Sequence, residues 1–446
     1  MEGNRKSPLD AVSLRLLLIG LLILLLLIPG GMISGLVRER RARSEEAKRE
    51  VASSWAKAQT IGGPVLTIPF TKTWKDAEGK TQTATEYIHL LPESLRFTGE
   101  VDPEIRYRGI YKVVLYRAKL LCAGHFSLAG LADLDVPSKA IRWHEAFLTL
   151  GLTDMRGINE YVDLRWGGRD DLRFASGIEE GQRTFTTGVS AKVPVGGAGG
   201  RYEFSFPLDL NGSGTLNFLP LGETTVVELK STWADPSFVG AFLPKDRRIT
   251  EDGFRATWKV LALNRNYPQR WLGEAYAHDV EASSFGVALF SPVDQYTQTT
   301  RAVKYEILFV GLTFLIFFAV EILNRRRIHT IQYLLVGLAL CLFYLLLLSL
   351  SEHLGFLPAY LLAAVAIVGL ITFYVGGALR DRTAVLATAF TLSALYGFLY
   401  VLLSNEDYAL LIGSLGLFAV MAVVMYLTRK IDWYALGSTE ETGPRS

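Results

Sequence analysis

The stretch Gln332–His353 reads QYLLVGLALCLFYLLLLSLSEH, and it decides the fold of the chain. It carries no charge from Gln332 to Ser351 and then ends in Ser351-Glu352-His353. At a rise of about 1.5 Å per residue, about 20 apolar residues in a helix cross a hydrocarbon core of about 30 Å. A helix of a water-soluble protein seldom stays apolar on every face for that length. The stretch therefore predicts a helix that crosses a membrane.

Similar apolar runs lie near the start of the chain and on both sides of this stretch. Leu16–Val37 is uncharged and too long for the apolar core of a cleavable signal peptide, which predicts an uncleaved anchor helix. A five-helix C-terminal bundle follows residue 303, with spans predicted at Tyr305–Leu323, Ile331–Ser351, Leu354–Leu379, Thr383–Ser404 and Tyr408–Thr428. Together these runs predict six transmembrane helices.

The middle of the chain, Ile61–Val303, has the texture of β-structure, with short runs rich in β-branched and aromatic residues. Turn signals such as Asn211-Gly212 and Asp252-Gly253 separate the runs, and Gly212-Ser213-Gly214 is interpreted as a hairpin. Strands are predicted at Pro64–Phe70, Gly109–Leu121, Tyr202–Leu210, Thr224–Lys230, Phe254–Leu263 and Phe285–Phe290. The predicted fold class is therefore an α+β membrane protein with a large inserted β-rich domain, packed as an antiparallel sandwich or a barrel.

The predicted boundaries follow from these changes in composition. Residues 1–37 form a cytoplasmic N-terminus and the first span, and residues 38–60 form a charged juxtamembrane helix supported by i,i+4 pairs such as Glu39/Arg43. Residues 61–303 form the β-rich domain, residues 304–429 the bundle and residues 430–446 a cytoplasmic tail. The glycine-rich stretch Gly188–Gly200 is either a flexible loop or a break between two subdomains near residues 190–200.

Composition limits the classes of function. The chain has 446 residues, is 50% hydrophobic and carries a net charge of +2, which gives no basic bias toward nucleic acid. Its two cysteines, Cys122 and Cys341, are predicted in water and in lipid, which argues against an intrachain disulfide. A bilayer is the partner that the composition itself requires.

The charges between the predicted spans set an orientation. The breaks with Arg325–Arg327, Arg380/Arg382 and Arg429/Lys430 are basic, whereas those at residues 351–353 and 405–407 are not. The positive-inside rule then places both termini in the cytoplasm and residues 38–303 in the periplasm. The basic residues of Arg38–Lys57 alone would favour the opposite orientation, but the alternation across the bundle outweighs them.

Motifs for catalysis or cofactor binding are absent from the sequence. The six histidines form no H-E-x-x-H, no C-x-x-C occurs, and Gly196–Gly200 lacks the Lys-Ser/Thr of a phosphate loop. We therefore predict no metal, no cofactor and no enzymatic activity. The most suggestive polar cluster is Glu352 and His353 facing Glu406 and Asp407 at the outer membrane face. It could carry out acid–base work, or it could simply supply the polar turns of helical hairpins.

Several stretches resemble the CreD family of bacterial inner-membrane proteins, named for cell-envelope integrity. The similar stretches are Gly63–Phe70, Gly109–Phe126, Trp233–Pro244, Arg301–Phe318, Arg327–His353, Gly355–Tyr360, Tyr396–Leu403, Glu406–Gly413 and Met425–Tyr434. The resemblance implies a multi-span inner-membrane protein with a large periplasmic domain, controlled in some bacteria by a two-component stress or nutrient response. It implies a role in envelope maintenance and supplies no catalytic residues.

Three functions are consistent with these features. The first is a non-enzymatic protein that maintains the cell envelope under stress, its periplasmic β-domain binding an envelope component or a partner protein. The second is a transporter or a membrane enzyme that acts on a lipid-linked substrate through Glu352 and His353. The third is a sensor, which would need a partner for its cytoplasmic output.

Overall fold

The structure, a computed structural model, describes residues 9–197, 199–273, 276–289, 295–323, 328–379, 382–405 and 408–429. The chain divides into two compact units. The helical unit comprises Met1–Arg43 and Val293–Ser446, and the β unit comprises Ser44–Pro292. Of the basic and acidic breaks that set the predicted orientation, Arg325–Arg327, Arg380, Glu406, Asp407 and Lys430 lie outside the described residues.

Helices account for nearly all of the described helical unit. Their bounds are α1 Leu9–Ser54, α2 Ala277–Ala282 (in the β unit), α3 Gln295–Lys304, α4 Glu306–Leu323, α5 Thr330–Leu354, α6 Phe356–Leu379, α7 Arg382–Ser404 and α8 Ala409–Thr428. The third to sixth predicted spans coincide with α5 to α8 within a few residues. Helix α1 runs through Pro29 without interruption and continues beyond the apolar run, where Arg43 and Glu39 form the expected i,i+4 ion pair at 2.6 Å.

Five helices of the described chain are long and apolar enough to cross a membrane. They contain the segments Leu14–Ser54, Thr330–Leu354, Phe356–Gly377, Val385–Ser404 and Ala409–Tyr426. The helix at the predicted second span contributes a shorter apolar segment, Glu306–Phe318. The structure therefore confirms a multi-helix membrane part, and the sixth span stays a prediction.

The β unit is built from seventeen strands in its described residues. Their bounds are β1 Gln59–Lys75, β2 Thr81–Leu90, β3 Ser94–Arg108, β4 Tyr111–Ser127, β5 Phe147–Leu152, β6 Asp163–Trp166, β7 Arg169–Arg173, β8 Ala175–Ser176, β9 Gly188–Lys192, β10 Arg201–Ser213, β11 Thr215–Phe218, β12 Thr224–Ser231, β13 Ser237–Gly240, β14 Asp246–Thr250, β15 Gly253–Leu261, β16 Arg270–Leu272 and β17 Phe285–Ala288. Each of the six predicted strands overlaps an observed one.

The strands pair into two sheets over the described residues. The first has the order β13-β17-β11-β1-β5-β9-β8, with β2 pairing β1 and β16 pairing β2. The second has the order β14-β15-β12-β3-β4-β10-β6-β7. Most pairs are antiparallel, as expected, but β1–β11 and β3–β12 are parallel, which the sequence analysis did not predict.

One hydrophobic core lies between the two sheets. Alternate residues of β10, including Phe204, Phe206 and Leu208, point into it, as a period of two requires for a half-buried strand. Aromatic contacts join the sheets, with ring centroids 5.1 Å apart for Phe97 and Phe218, and 6.0 Å apart for Trp258 and Phe285. The β unit is therefore a two-sheet sandwich.

Two local predictions in this unit are wrong. The predicted turn Asn211-Gly212 lies inside β10, where a Cβ on Gly212 would meet the Tyr116 hydroxyl at 2.2 Å. This glycine is thus needed for close packing and not for a turn. The predicted hairpin at Gly212-Ser213-Gly214 is instead a crossing between sheets, because β10 and β11 belong to different sheets and Gly214 between them has φ of 67°.

The stretch Gly188–Gly200, interpreted as a flexible loop or a subdomain break, begins as a strand. Its first five residues form β9, and Val189 and Ala191 belong to the core. The residues of the stretch that follow β9 connect it to β10, and Ala198 lies outside the described residues. A subdomain break near residues 190–200 stays a prediction.

Candidate functional site

A buried polar face runs along helix α5. Tyr333, Gly337, Cys341, Tyr344 and Ser351 are buried and recur at steps of about three to four residues or their multiples, so they share one side of the helix. Polar groups of α1, α3 and α4 meet this face at three levels. Because polar groups in a membrane are costly unless they are paired or functional, this face is the candidate site of the helical unit.

The first level joins α1, α4 and α5 near the beginning of α5. The Glu321 carboxylate, whose side chain is 6% exposed, forms an ion pair with Arg15. The Tyr333 hydroxyl donates a hydrogen bond to the other Glu321 oxygen at 3.1 Å. The buried acid is therefore both charge-paired and hydrogen-bonded, as a buried carboxylate requires.

The second level contains a buried acid that forms no ion pair with any described residue. Glu306 is 7% exposed, and its Oε1 atom has no hydrogen-bond partner in the described part of the chain. The carboxylate lies against Gly30 of α1 and interacts with the Cys341 thiol of α5. A Cβ on Gly30 would come within 2.2 Å of Glu306 Oε2, so the glycine is what admits the carboxylate.

The third level surrounds Glu352 at the end of α5. Its side chain is 6% exposed and accepts a hydrogen bond from the Tyr296 hydroxyl of α3 at 3.0 Å. The Arg40 guanidinium of α1 lies 3.8 Å from its Oε2 atom. On the preceding residue, the Ser351 hydroxyl donates to the Leu348 carbonyl at 2.9 Å.

The spacing along α1 gives the depth of each level. From Arg15 to Arg40 the helix rises about 38 Å, more than the roughly 30 Å of a hydrocarbon core, so both ion pairs lie near its boundaries. Gly30 is about 22 Å above Arg15 and about 15 Å below Arg40. Glu306 is the first residue of α4, and its carboxylate meets α1 about 15 Å along that helix from Arg40.

Of the sequence-predicted cluster, the structure describes Glu352 and His353, and the expected approach of Glu406 and Asp407 stays a prediction. Glu352 is buried in the contacts above, whereas His353 is exposed, and no hydrogen bond or ion pair joins the two in the described chain. Glu406 and Asp407 lie outside the described residues. Sequence reasoning missed Tyr296 and Arg40 as partners of Glu352, since both are far from it in the sequence.

Tyrosines of α5, α6 and α7 pack beside this face. The Tyr360 hydroxyl donates to the Tyr396 carbonyl at 2.6 Å, which links α6 to α7. The Phe343 ring lies 4.6 Å from Tyr396 and 5.4 Å from Tyr360, measured between centroids. These contacts link α5, α6 and α7.

The β unit has its own buried polar groups. The His89 side chain is buried, its Nδ1 atom lies 3.1 Å from the Thr67 hydroxyl, and its ring packs on Trp271 with centroids 5.4 Å apart. Burial lowers the pKa of His89 to about 4, against a smaller opposing effect of a backbone hydrogen bond with Gly273. His89 is therefore a neutral histidine of the hydrophobic core.

Within the β unit, the last turn of α1 contacts the sandwich near Asp154. This carboxylate accepts hydrogen bonds from Arg156 at 2.7 Å and from the Lys57 backbone at 3.1 Å. The Arg156 hydrogen bond is the main reason that the pKa of Asp154 is lowered to about 2. Arg156 also donates to the Ser53 carbonyl in the last turn of α1, which satisfies one of the carbonyls left open at a helix end.

No group of three or more His, Cys, Asp or Glu side chains in the described residues is arranged to hold a metal ion. The fold and this site define an integral membrane protein in which a large β-sandwich is inserted between the first apolar helix and the others. The chain belongs to the CreD family: a sequence model described as "Inner membrane protein CreD" matches residues 11–434. It is 34% identical over 423 residues to Inner membrane protein CreD of Escherichia coli (strain K12), covering 93% of this chain and 92% of that protein.

Among solved structures, a mutant M1 zinc metallopeptidase from Deinococcus radiodurans, bound to a Tyr-Ser-Ala substrate, aligns with 41% of this chain and 42% of its own. The sequence identity is 10% and the TM-score is 0.20. This likeness carries no argument about fold or function.

Proposed function

We propose that this inner membrane protein is non-enzymatic and maintains the integrity of the cell envelope under stress. In this proposal its β unit lies in the periplasm and binds an envelope component or a partner protein. The observation that carries the proposal is the difference between the polar side chains of the two units. Glu321 and Glu352 of the helical unit are engaged in contacts between helices, whereas the sandwich presents a charged outer sheet face. Membership of the CreD family is consistent with such a role.

The proposal includes six spans with both termini in the cytoplasm. Helix α4 supports the sixth span, because its contacts with α1 at Arg15–Glu321 and at Gly30–Glu306 are fifteen residues apart on each helix. The two helices therefore run antiparallel over about 22 Å. The charge alternation between spans supports the orientation, with the Arg15–Glu321 pair on the cytoplasmic side and the Arg40–Glu352 contact on the periplasmic side.

A deletion strain tests the role in the envelope. We expect it to lose viability under detergent, antibiotic or osmotic challenge, and to recover when the full chain is supplied at its normal level. As a matched control, a chain carrying Gly31→Ala, a position with open space around it, is expected to restore viability fully. A deletion strain that withstands all three challenges as well as its parent would refute the proposal.

Transport or lipid-linked chemistry through Glu352 and His353 is the second candidate. It is favoured by Glu306, because a buried acid of a membrane helix, here with one oxygen unpartnered among the described residues, marks a pathway in many membrane proteins. Replacing Glu352 or His353 by Ala separates the two candidates. Full complementation by both variants, at normal protein level, eliminates the second candidate.

A further inference from the structure

The outer face of the second sheet carries a cleft of about 830 Å³. This volume lies in the range of sites for small ligands, about 300–1,000 Å³. Five basic and three acidic side chains line it, namely Arg117, Lys119, Lys230, Arg248, Arg255, Glu100, Asp102 and Asp252. All eight are exposed, so the cleft opens to solvent.

The basic side chains are aligned by the strand register. Arg248 of β14 is directly opposite Arg255 of β15, and Arg255 is directly opposite Lys230 of β12. Glu100 of β3 and Lys119 of β4 continue the row. Residues paired across neighbouring strands share one face, and strands lie about 4.8 Å apart, so the row extends over about 19 Å.

Within this row, like charges are neighbours. Like charges directly opposite on a sheet are destabilising, yet three cations occupy adjacent strands. Lys230 is neutralised by an ion pair with Glu100, but no ion pair forms at Arg248, Arg255 or Lys119 in the described chain. A bound anion would relieve the repulsion, and paired guanidinium groups suit carboxylate and phosphate oxygens.

The remaining lining decides which anion fits. The apolar lining residues Val101 and Phe254 have their side chains buried in the core, so the cleft has no apolar anchor for a lipid chain or a hydrophobic peptide. Asp102 and Asp252 would repel a ligand that is anionic at every unit. Carboxylates do accept hydrogen bonds from hydroxyl groups, and Ser231 and Thr232 add further polar partners.

We propose that this cleft binds an anionic oligosaccharide. Its carboxylate or phosphate substituents contact Arg248, Arg255 and Lys119, and its hydroxyl groups donate hydrogen bonds to Asp102 and Asp252. This inference rests on the proposed role of the β unit in binding, and it names the class of envelope component. The affinity of the purified chain can be measured independently of any phenotype, so the two proposals fail separately.

The test is a binding titration with the full chain in detergent. The probes are tetragalacturonate, phosphorylated maltotetraose, neutral maltotetraose and tetraglutamate, the last an acidic peptide. We expect at least one of the two anionic saccharides to bind at least about tenfold more tightly than the neutral saccharide and the peptide, because only it satisfies both sets of charges.

Variants locate the binding in the cleft. Replacing Arg255 by Gln is expected to weaken that binding at least about tenfold. Lys259→Gln is the matched control, since Lys259 is exposed on the same face of β15 but about 13 Å along the strand from Arg255 and outside the cleft. Circular dichroism verifies that both variants are folded.

Four results would overturn the inference. They are the absence of binding by both anionic saccharides, equal binding of neutral maltotetraose, equal or tighter binding of tetraglutamate, and an equal loss of affinity in the Lys259→Gln variant. The third would identify an acidic protein segment as the ligand, and the fourth would indicate attraction by net charge alone.

Discussion

Replacing Gly30 by Ala should separate α1 from α4. The added Cβ would lie 2.2 Å from Oε2 and 2.7 Å from Cδ of Glu306, well inside contact distance. Either the buried carboxylate turns away from α1, or the two helices move apart. Gly31 is the matched control, because a Cβ there has no neighbour within 4 Å.

The size of the effect follows from two opposing terms. Overpacking of a buried contact costs about 1–3 kcal/mol, and exchanging Gly for Ala inside a helix returns up to about 1 kcal/mol. Gly31→Ala has only the stabilising effect of exchanging Gly for Ala, because it causes no overpacking. The difference between the two variants should therefore be about 1–3 kcal/mol, and it should disappear in a Glu306→Ala background, where the clashing atoms are gone.

The buried thiols provide the assay. Cys341 of the helical unit and Cys122 of the β unit are both buried, so each reacts with a thiol reagent only after its unit opens. Labelling during an SDS titration, with the two cysteine peptides resolved by mass spectrometry, gives a separate midpoint for each unit. We expect Gly30→Ala to lower the Cys341 midpoint alone. Equal midpoints for Gly30→Ala and Gly31→Ala, or a loss that persists without Glu306, would refute the packing described here.

Three further predictions follow from charged groups. Folding lowers the pKa of His89 from its ordinary value of 6.5 to about 4, so the unfolded chain binds more protons than the folded chain below pH 6.5. The free energy of unfolding of the β unit should therefore fall by up to about 3 kcal/mol between pH 6.5 and 4. In a His89→Leu variant, the free energy of unfolding should change less with pH over that range. Arg15→Gln should destabilise the helical unit by about 3 kcal/mol because it leaves the buried Glu321 carboxylate without its cation. Glu321→Gln should cost only about 1 kcal/mol because the Arg15 side chain can reach solvent. Equal Cys341 labelling midpoints for the two variants would contradict this expectation. Asp154→Asn should cost about 1–2 kcal/mol and remove the decline in stability expected as the pH falls from about 4 toward 2, measured by urea denaturation followed by circular dichroism. An unchanged pH profile would contradict the role given to Arg156.

The elements of this protein could be predicted from the sequence where the signal is local. The apolar run around Cys341 fixes a membrane helix by its own length, and α5 begins and ends within a few residues of that prediction. Strands such as β10 were recognisable from alternating aromatic residues. The same local reasoning failed at Asn211-Gly212, because pairing with β4 and packing against Tyr116 override the turn propensity of that dipeptide.

The candidate sites depended on contacts that no local pattern contains. Arg15 and Glu321 are 306 residues apart in the chain, and their pairing follows from the register of α1 against α4. The row of cations in the cleft likewise needs the strand order β14-β15-β12-β3-β4, in which distant segments become neighbours. Glu352 follows the uncharged run of α5 and could be chosen from the sequence as a candidate site residue, but its partner Tyr296 could not.

Thiol labelling in intact cells tests the proposed arrangement most directly. One variant places a cysteine at Tyr161, which is 78% exposed in the β unit, and the other places it at Arg326, in a basic break between predicted spans. Native Cys122 and Cys341 are buried, so they give little background. With a membrane-impermeant maleimide, we expect labelling at position 161 and none at position 326 until the cells are lysed. Labelling at 326 but not at 161 would contradict it.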